Sequence, residues 1–178
     1  MNEAKIEILV LEAQAGRRSA MGELYNAFYD PMRKYALLRV GDAMIAEDLV
    51  HNVRLHISKR VQQLRDVSLF RSWLFRALRW QIIDWQRKSS KEVVSAVLPD
   101  SAEEASLLQD SVLVLPMLKE LTHEDREVVE LFYLNDMSVR EIALIISVPI
   151  GTVKSRLHRA RAQLKHQIVN LNQGAENE

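Results

Sequence analysis

An all-α fold is predicted by three observations. Apolar residues recur at three- and four-residue steps along most of the chain, strand-like alternation is absent, and glycine and proline are sparse, at 5 and 4 of 178 residues. Ile6, Leu9, Val10 and Ala13 mark a short amphipathic helix that Gly16 ends. A second helix runs from Ala20 to Leu38 on the stripe Leu24, Phe28, Met32, Tyr35 and Leu38, with Pro31 as a candidate kink. Gly41-Asp42 supplies a stop and an N-cap. The third helix, Ala43 to Val61, carries Ile45, Leu49, Val53, Ile57 and Val61 on one face. A loop over about Gln62 to Val67 leads to Ser68 as the next cap and to a fourth helix, Leu69 to about Lys88.

Periodicity is then lost. Residues 89–111 are polar and acidic, which reads as a flexible linker and a domain boundary, with Val93, Val94, Val97 and Leu98 as points where it can dock. A second block resumes with a helix from Val112 to Leu121. Thr122 with Asp125 resembles a capping box opening a further helix, Glu124 to Leu134. The polar tail from Asn170 is expected to fray. The expected architecture is two small helical domains, 1–88 and 112–170, joined by linker 89–111 and followed by tail 171–178.

The segment SVREIALIISVPIGTVKSRLHRARAQLK, Ser138 to Lys165, is the most informative. Ser138 and Glu141 form a Ser-x-x-Glu capping box, and Val139, Ile142, Ala143 and Ile146 share one apolar face. Ser147-Val148-Pro149 breaks that helix, because proline lacks a backbone donor and pushes its predecessor out of α geometry. The next helix buries Val153, Leu157, Ala160 and Leu164, while Lys154, Ser155, His158 and Arg159 point elsewhere and Arg156, Arg161 and Lys165 flank them. A basic amphipathic helix alone is often a solvated surface; a capped partner helix and a short break before it describe a helix-turn-helix that reads a major groove.

The fourth helix, LFRSWLFRALRWQIIDWQRK, interleaves Phe70, Trp73, Phe75, Trp80 and Trp85 with Arg71, Arg76, Arg79, Arg87 and Lys88. Aromatic faces stack unpaired bases while arginines hold phosphates, a build for single-stranded nucleic acid. Trp73, Ala77, Trp80 and Asp84 also follow core spacing, so both readings stand; Trp73 looks most like core, and Trp80 and Trp85 are the better stacking candidates.

Formal net charge is zero, but it is divided unevenly. Residues 1–88 hold 15 basic against 10 acidic residues, 89–115 hold 1 against 5, and 116–178 hold 8 against 9. Phosphate neutralisation supplies most non-specific DNA affinity, so weak DNA binding by the chain alone is expected, with a partner adding contacts. No apolar run approaches the 18 or so residues of a membrane span, and the N-terminus does not read as a signal peptide. The chain has no cysteine, hence neither a disulfide nor a thiolate zinc site, and its five histidines lack ligand spacing. No cofactor or metal is expected. No nucleophile–base pair or phosphate-cradling loop is visible, which argues against an enzyme.

AEDLVHNVRLHI, FRSWLFRALRWQIIDWQRK and LTHEDREVVELFYLNDMSVREIALIISVPIGTVKSRLHRARAQL, in that order, resemble the extracytoplasmic-function sigma factors of bacterial RNA polymerase. The resemblance spans about Leu24 to Leu164, and its strongest part is Gly151 to Leu157. It implies that 1–88 is sigma domain 2 and 112–170 is sigma domain 4. Glu47, Asp48, Leu49, Asn52 and Val53 would then dock on core RNA polymerase. The loop Gln62 to Phe70 and the helix after it would take the minus-ten strand, with Arg76, Arg79, Trp80, Asp84, Trp85, Arg87 and Lys88 in strand opening. Thr152, Lys154, Ser155, Arg156, His158 and Arg159 would read the minus-thirty-five duplex, and the linker would thread the RNA exit path. Two departures stand out: Arg79-Trp80 where the family commonly has Arg-Asn, and Ser147 where a turn glycine is frequent, a small cost if its φ stays negative.

The expected function is that of a cytoplasmic promoter-specificity subunit. Its expected partners are core RNA polymerase, promoter DNA and an anti-sigma factor that lays helical segments in apolar grooves. A stand-alone helix-turn-helix regulator is the alternative; the near-neutral total charge and the aromatic-basic helix speak against it.

Overall fold

The computed structural model describes residues 1–89 and 115–175, with side chains described to Val169. Nearly all of the expected linker, the start of the helix expected from Val112 and the last three tail residues lie outside them. No strand occurs among the described residues, and no helix there is long and apolar enough to cross a membrane.

Helix α1 (Glu3–Gln14) starts where Asn2 Oδ1 accepts the Lys5 amide at 2.9 Å. Helix α2 (Arg18–Val40) runs through Pro31 without ending there and stops at Gly41. Gly41 has φ 70, a left-handed conformation suited to glycine, and its N–H donates to Leu37 O. Asp42 accepts the Ile45 amide at 2.9 Å and opens α3 (Ala43–Arg60). Two short 3-10 turns, Val61–Gln63 and Val67–Leu69, then lead into α4 (Phe70–Ser89). The cap here is Asp66 rather than the expected Ser68. Asp66 Oδ1 accepts both the Ser68 amide (3.0 Å) and the Ser68 hydroxyl (2.6 Å), since a carboxylate is the stronger acceptor.

In the C-terminal block, α5 (Leu115–Lys119) precedes α6 (His123–Val129), which continues as a π turn over Glu130–Leu134. Thr122 caps α6 by accepting the Asp125 amide, but Asp125 does not close the capping box; its carboxylate is used elsewhere. Ser138 and Glu141 form the full reciprocal box that opens α7 (Val139–Ile146). Ser147 ends it at φ 58, so the expectation of a negative φ fails. The reversal into α8 (Ile150–Ala175) needs a left-handed residue, and serine accepts the strain a glycine would avoid. The helical backbone of α8 extends beyond Asn170, where the sequence predicts fraying.

The two blocks are docked against each other. α4 packs on α2 and α3 with one side and on α7 with another, and the buried apolar residues of both blocks form one continuous cluster. The two-domain reading leaves this docking open, because a stripe of apolar residues says which face is buried, not what buries it.

Candidate nucleic-acid interface

On α4, the buried positions Leu74, Leu78 and Ile82 recur every four residues and fix the helix on the core. The opposite stripe is left open and holds Arg76, Trp80 and Arg87, spaced i, i+4, i+11. Trp80 is 60% exposed, an unusual position for an indole that nothing in the fold requires there. Trp73 and Trp85 are half-buried and lean on the core, so Trp80 is the most exposed aromatic face on this helix. Asp84 lies between Arg87 Nη2 at 2.7 Å and Lys88 Nζ at 2.6 Å. The hydrogen bond from Lys88, ahead of that from Arg87, holds its carboxyl below the usual range. Arg79 points off the open stripe and is half-buried against Glu127 of the other block.

The loop before α4 is held in place from α1. Gln14 Nε2 donates to Val61 O at 2.9 Å and to Leu64 O at 2.8 Å, which positions the segment approaching the α4 N-terminus.

On α8, Val153, Leu157 and Ala160 are buried, so Lys154, Ser155 and His158 stand exposed on the far side, with Thr152 and Arg156 half-exposed at its edge. Arg159 shares that exposed face but is engaged. Its Nε and Nη2 each donate to Asp125 at 2.6 Å, a bidentate pair with a carboxylate that is 0% exposed. The Arg159 hydrogen bond lowers the Asp125 pKa against the effect of burial. Arg161 donates to the Tyr133 hydroxyl at 2.7 Å and lies over the Phe132 and Tyr133 rings. These two arginines therefore brace α8 on α6.

On α3, Glu47, Asp48 and Asn52 are exposed, and Glu47 is held by Arg33 at 2.8 Å. Leu49 and Val53 are buried. Their expected place on a polymerase-docking surface is corrected accordingly: at i+3 to i+4 from the apolar positions of α3 they seat the helix, and only its acidic and amide residues face outward.

Sequence reasoning missed the seam between the blocks. Arg39 lies within the buried stripe of α2, 2.6 Å from Glu130 and 3.6 Å from Glu127. Tyr35 Oη donates to Glu127 Oε1 at 2.9 Å, and Arg79 Nε donates to the same oxygen at 2.9 Å. Burial pushes the Glu127 carboxyl up, but Arg39 and Arg79 outweigh it and hold it below its ordinary value. Burial dominates at Glu130, whose carboxyl is raised, and it also raises the Tyr35 hydroxyl. The available signal was a pair of glutamates, three residues apart, framing Val128 and Val129. At the edge of the same seam Arg71 approaches Glu141 at 3.7 Å and donates to Asn135 O.

An all-α chain with a helix-turn-helix in one block and an aromatic-basic helix in the other defines a DNA-binding protein of transcription. The comparisons specify it further. Residues 24–92 match the family description "Sigma-70 region 2", and residues 111–164 match "Sigma-70, region 4". The chain is similar to RNA polymerase sigma factor SigZ of Bacillus subtilis, 32% identical over 147 residues covering 80% of this chain and 84% of that protein. It is 32% identical to the ECF RNA polymerase sigma factor SigL of Mycobacterium tuberculosis over 161 residues, 86% of this chain and 91% of the relative. Among solved structures it resembles the sigma factor RpoE of Bartonella quintana, in complex with the anti-sigma factor NepR. That likeness has TM-score 0.64 and 27% identity, over 78% of this chain and 89% of that one. The chain belongs to the extracytoplasmic-function sigma factors, and directs promoter-specific transcription initiation.

Proposed function

We propose that residues 1–88 bind core RNA polymerase and the minus-ten strand, and that residues 112–170 read the minus-thirty-five duplex. The observation that carries this reading is the pair of open polar faces on otherwise buried helices, Arg76/Trp80/Arg87 on α4 and Lys154/Ser155/His158 on α8. Trp80 offers a π-face to an unstacked base beside phosphate-binding cations, and single strands are bound by that combination. The α8 face presents small and cationic groups of the kind that reach base edges in a major groove. Glu47, Asp48 and Asn52 form the exposed acidic patch on α3 that docks on the polymerase. Arg159 positions α8 through Asp125 rather than reaching for a base.

Acting in the cytoplasm with core enzyme, the chain performs no catalysis of its own; it supplies specificity and takes up the melted strand. Its control is proposed to come from an anti-sigma polypeptide, in keeping with the similarity to a sigma factor solved with one. A cleft of about 690 Å³ between the blocks, with Phe28, Phe75, Leu134 and Leu144 among its lining, is the place for an apolar segment of such a partner.

Run-off transcription of genomic fragments by core polymerase, with and without the chain, tests the reading. New start sites are expected only with the chain, and Asp48→Arg should abolish them by weakening core binding. Start sites unaffected by Asp48→Arg and by changes to the α8 face would refute the assignment.

A further inference from the structure

Helix α1 precedes the stretch that matches the family description, which begins at residue 24, yet it is bonded to the loop before α4. Leu9, Val10 and Ala13 are buried and seat α1 on the N-terminal block. Gln14, four residues after Val10 and the last residue of the helix, is therefore carried on a fixed element. A primary amide has two N–H donors, and Gln14 uses both across the chain. They go to Val61 O at 2.9 Å and to Leu64 O at 2.8 Å, and Gln62 Nε2 donates back to Gln14 O at 3.5 Å.

These bonds supply what the loop lacks locally. The 3-10 turn Val61–Gln63 is closed by one backbone bond, from the Leu64 amide to Val61 O at 3.2 Å, and turns of this kind have poor hydrogen-bond geometry. Gln14 grips the carbonyls on either side of that turn. Val61 is buried and Leu64 and Val67 are half-buried, so Gln63 and Arg65 face outward. An amide and a guanidinium are groups that pair with base edges and phosphates. A loop that holds its binding shape only part of the time loses apparent affinity by the same fraction.

We propose that Gln14 is a positioning residue for promoter opening, its carboxamide holding residues 62–69 in the shape that takes the minus-ten strand. The minus-ten site of this chain thus reaches back to a helix that lies before the family match. The proposal rests on the reading of this loop and α4 as the minus-ten surface.

Gln14→Met keeps the length and helix propensity of the side chain and removes both donors. The full chain on core polymerase is offered a single-stranded oligonucleotide spanning the minus-ten region of a promoter recovered by run-off transcription. A scrambled strand serves as the comparison. Binding of the matched strand should fall roughly tenfold, the scale set by two neutral hydrogen bonds. Binding of the scrambled strand, affinity for core enzyme and helicity should hold, and the amides of residues 62–69 should exchange faster with deuterium. Gln14→Glu, which sets carboxylate oxygens against the two carbonyls, should lose at least as much. A parallel loss of helicity or of core affinity would overturn the proposal, because Gln14 would then hold the block and not the loop. Unchanged exchange in the loop would overturn it as well. Gln63→Ala with Arg65→Ala separates the two readings. If this pair loses the matched strand while both Gln14 variants keep it, only the positioning role fails. If all three keep it, the minus-ten assignment of the loop fails with it.

Discussion

Arg79 and Arg159 sit on the two proposed DNA-reading helices, and both are held by carboxylates of α6. Arg159 meets Asp125 within its own block, at 2.6 Å through both nitrogens. Arg79 meets Glu127 across the seam, in a cluster shared with Arg39 and Tyr35. The chemistry is the same, but the consequence differs. A pair inside one block supports that block whether it is docked or not. A pair between blocks exists only while they touch, so it supports an arrangement instead of a fold.

The sharpest way to break this comparison is Glu127→Ala. It leaves Arg39 and Tyr35 facing a gap at the seam, and loss of one member of a buried ionic cluster costs about 3–5 kcal/mol. Docking should fail while each block stays folded, so urea unfolding should change from one transition to two. As a control, Glu12→Ala removes a surface pair with Arg17 and should shift stability by less than about 1 kcal/mol.

Arg159→Ala should act on the C-terminal block alone. It strands the buried Asp125 carboxylate, so the block should unfold more easily with heat or urea, while the packing between the blocks is preserved. Its pH dependence follows from the sign of the shift. The Asp125 pKa is lowered in the folded chain, chiefly by the Arg159 hydrogen bond, so its contribution is fully present above the unfolded carboxylate value of about 4. That contribution is lost as pH falls through the folded value. Between about pH 5 and the acid end of the titration, the variant should therefore show a flatter stability profile than the unaltered chain.

The smallest expected effect is a gain. Ser147 holds a left-handed conformation, strained for any residue with a Cβ by about 1–2 kcal/mol, while glycine costs the unfolded chain about 0.5–1 kcal/mol in entropy. Ser147→Gly should stabilise the block by up to about 1 kcal/mol, visible as a higher Tm. A lower Tm would mean that serine makes a compensating interaction at the turn.

The helices and their caps were legible because they follow local rules. Gly41-Asp42, the Ser138–Glu141 box and the buried Val153/Leu157 pair stand where spacing puts them. The exposed side of α8 follows directly from its buried side. What escaped is non-local. Arg39, Glu127 and Glu130 interrupt apolar stripes, and in sequence such interruptions read as edges of a buried face, although here they are its centre. Asp125 reads as the fourth member of a capping box, yet Arg159, 34 residues on, takes its carboxylate. Leu49 and Val53 lie in a motif whose resemblance points to polymerase, and periodicity alone already places them on the core side.

The central claim is that the open stripe of α4 receives a melted strand, and Trp80 is the most exposed aromatic residue on that helix. The direct test is open-complex formation by core polymerase with Trp80→Ala, on a duplex promoter and on the same promoter with a pre-melted bubble. Losing a stacked base costs about 1–3 kcal/mol, so opening of the duplex should fall roughly five- to 150-fold while the bubble stays occupied at saturating protein. Equal losses on both templates, or none on either, would contradict the account.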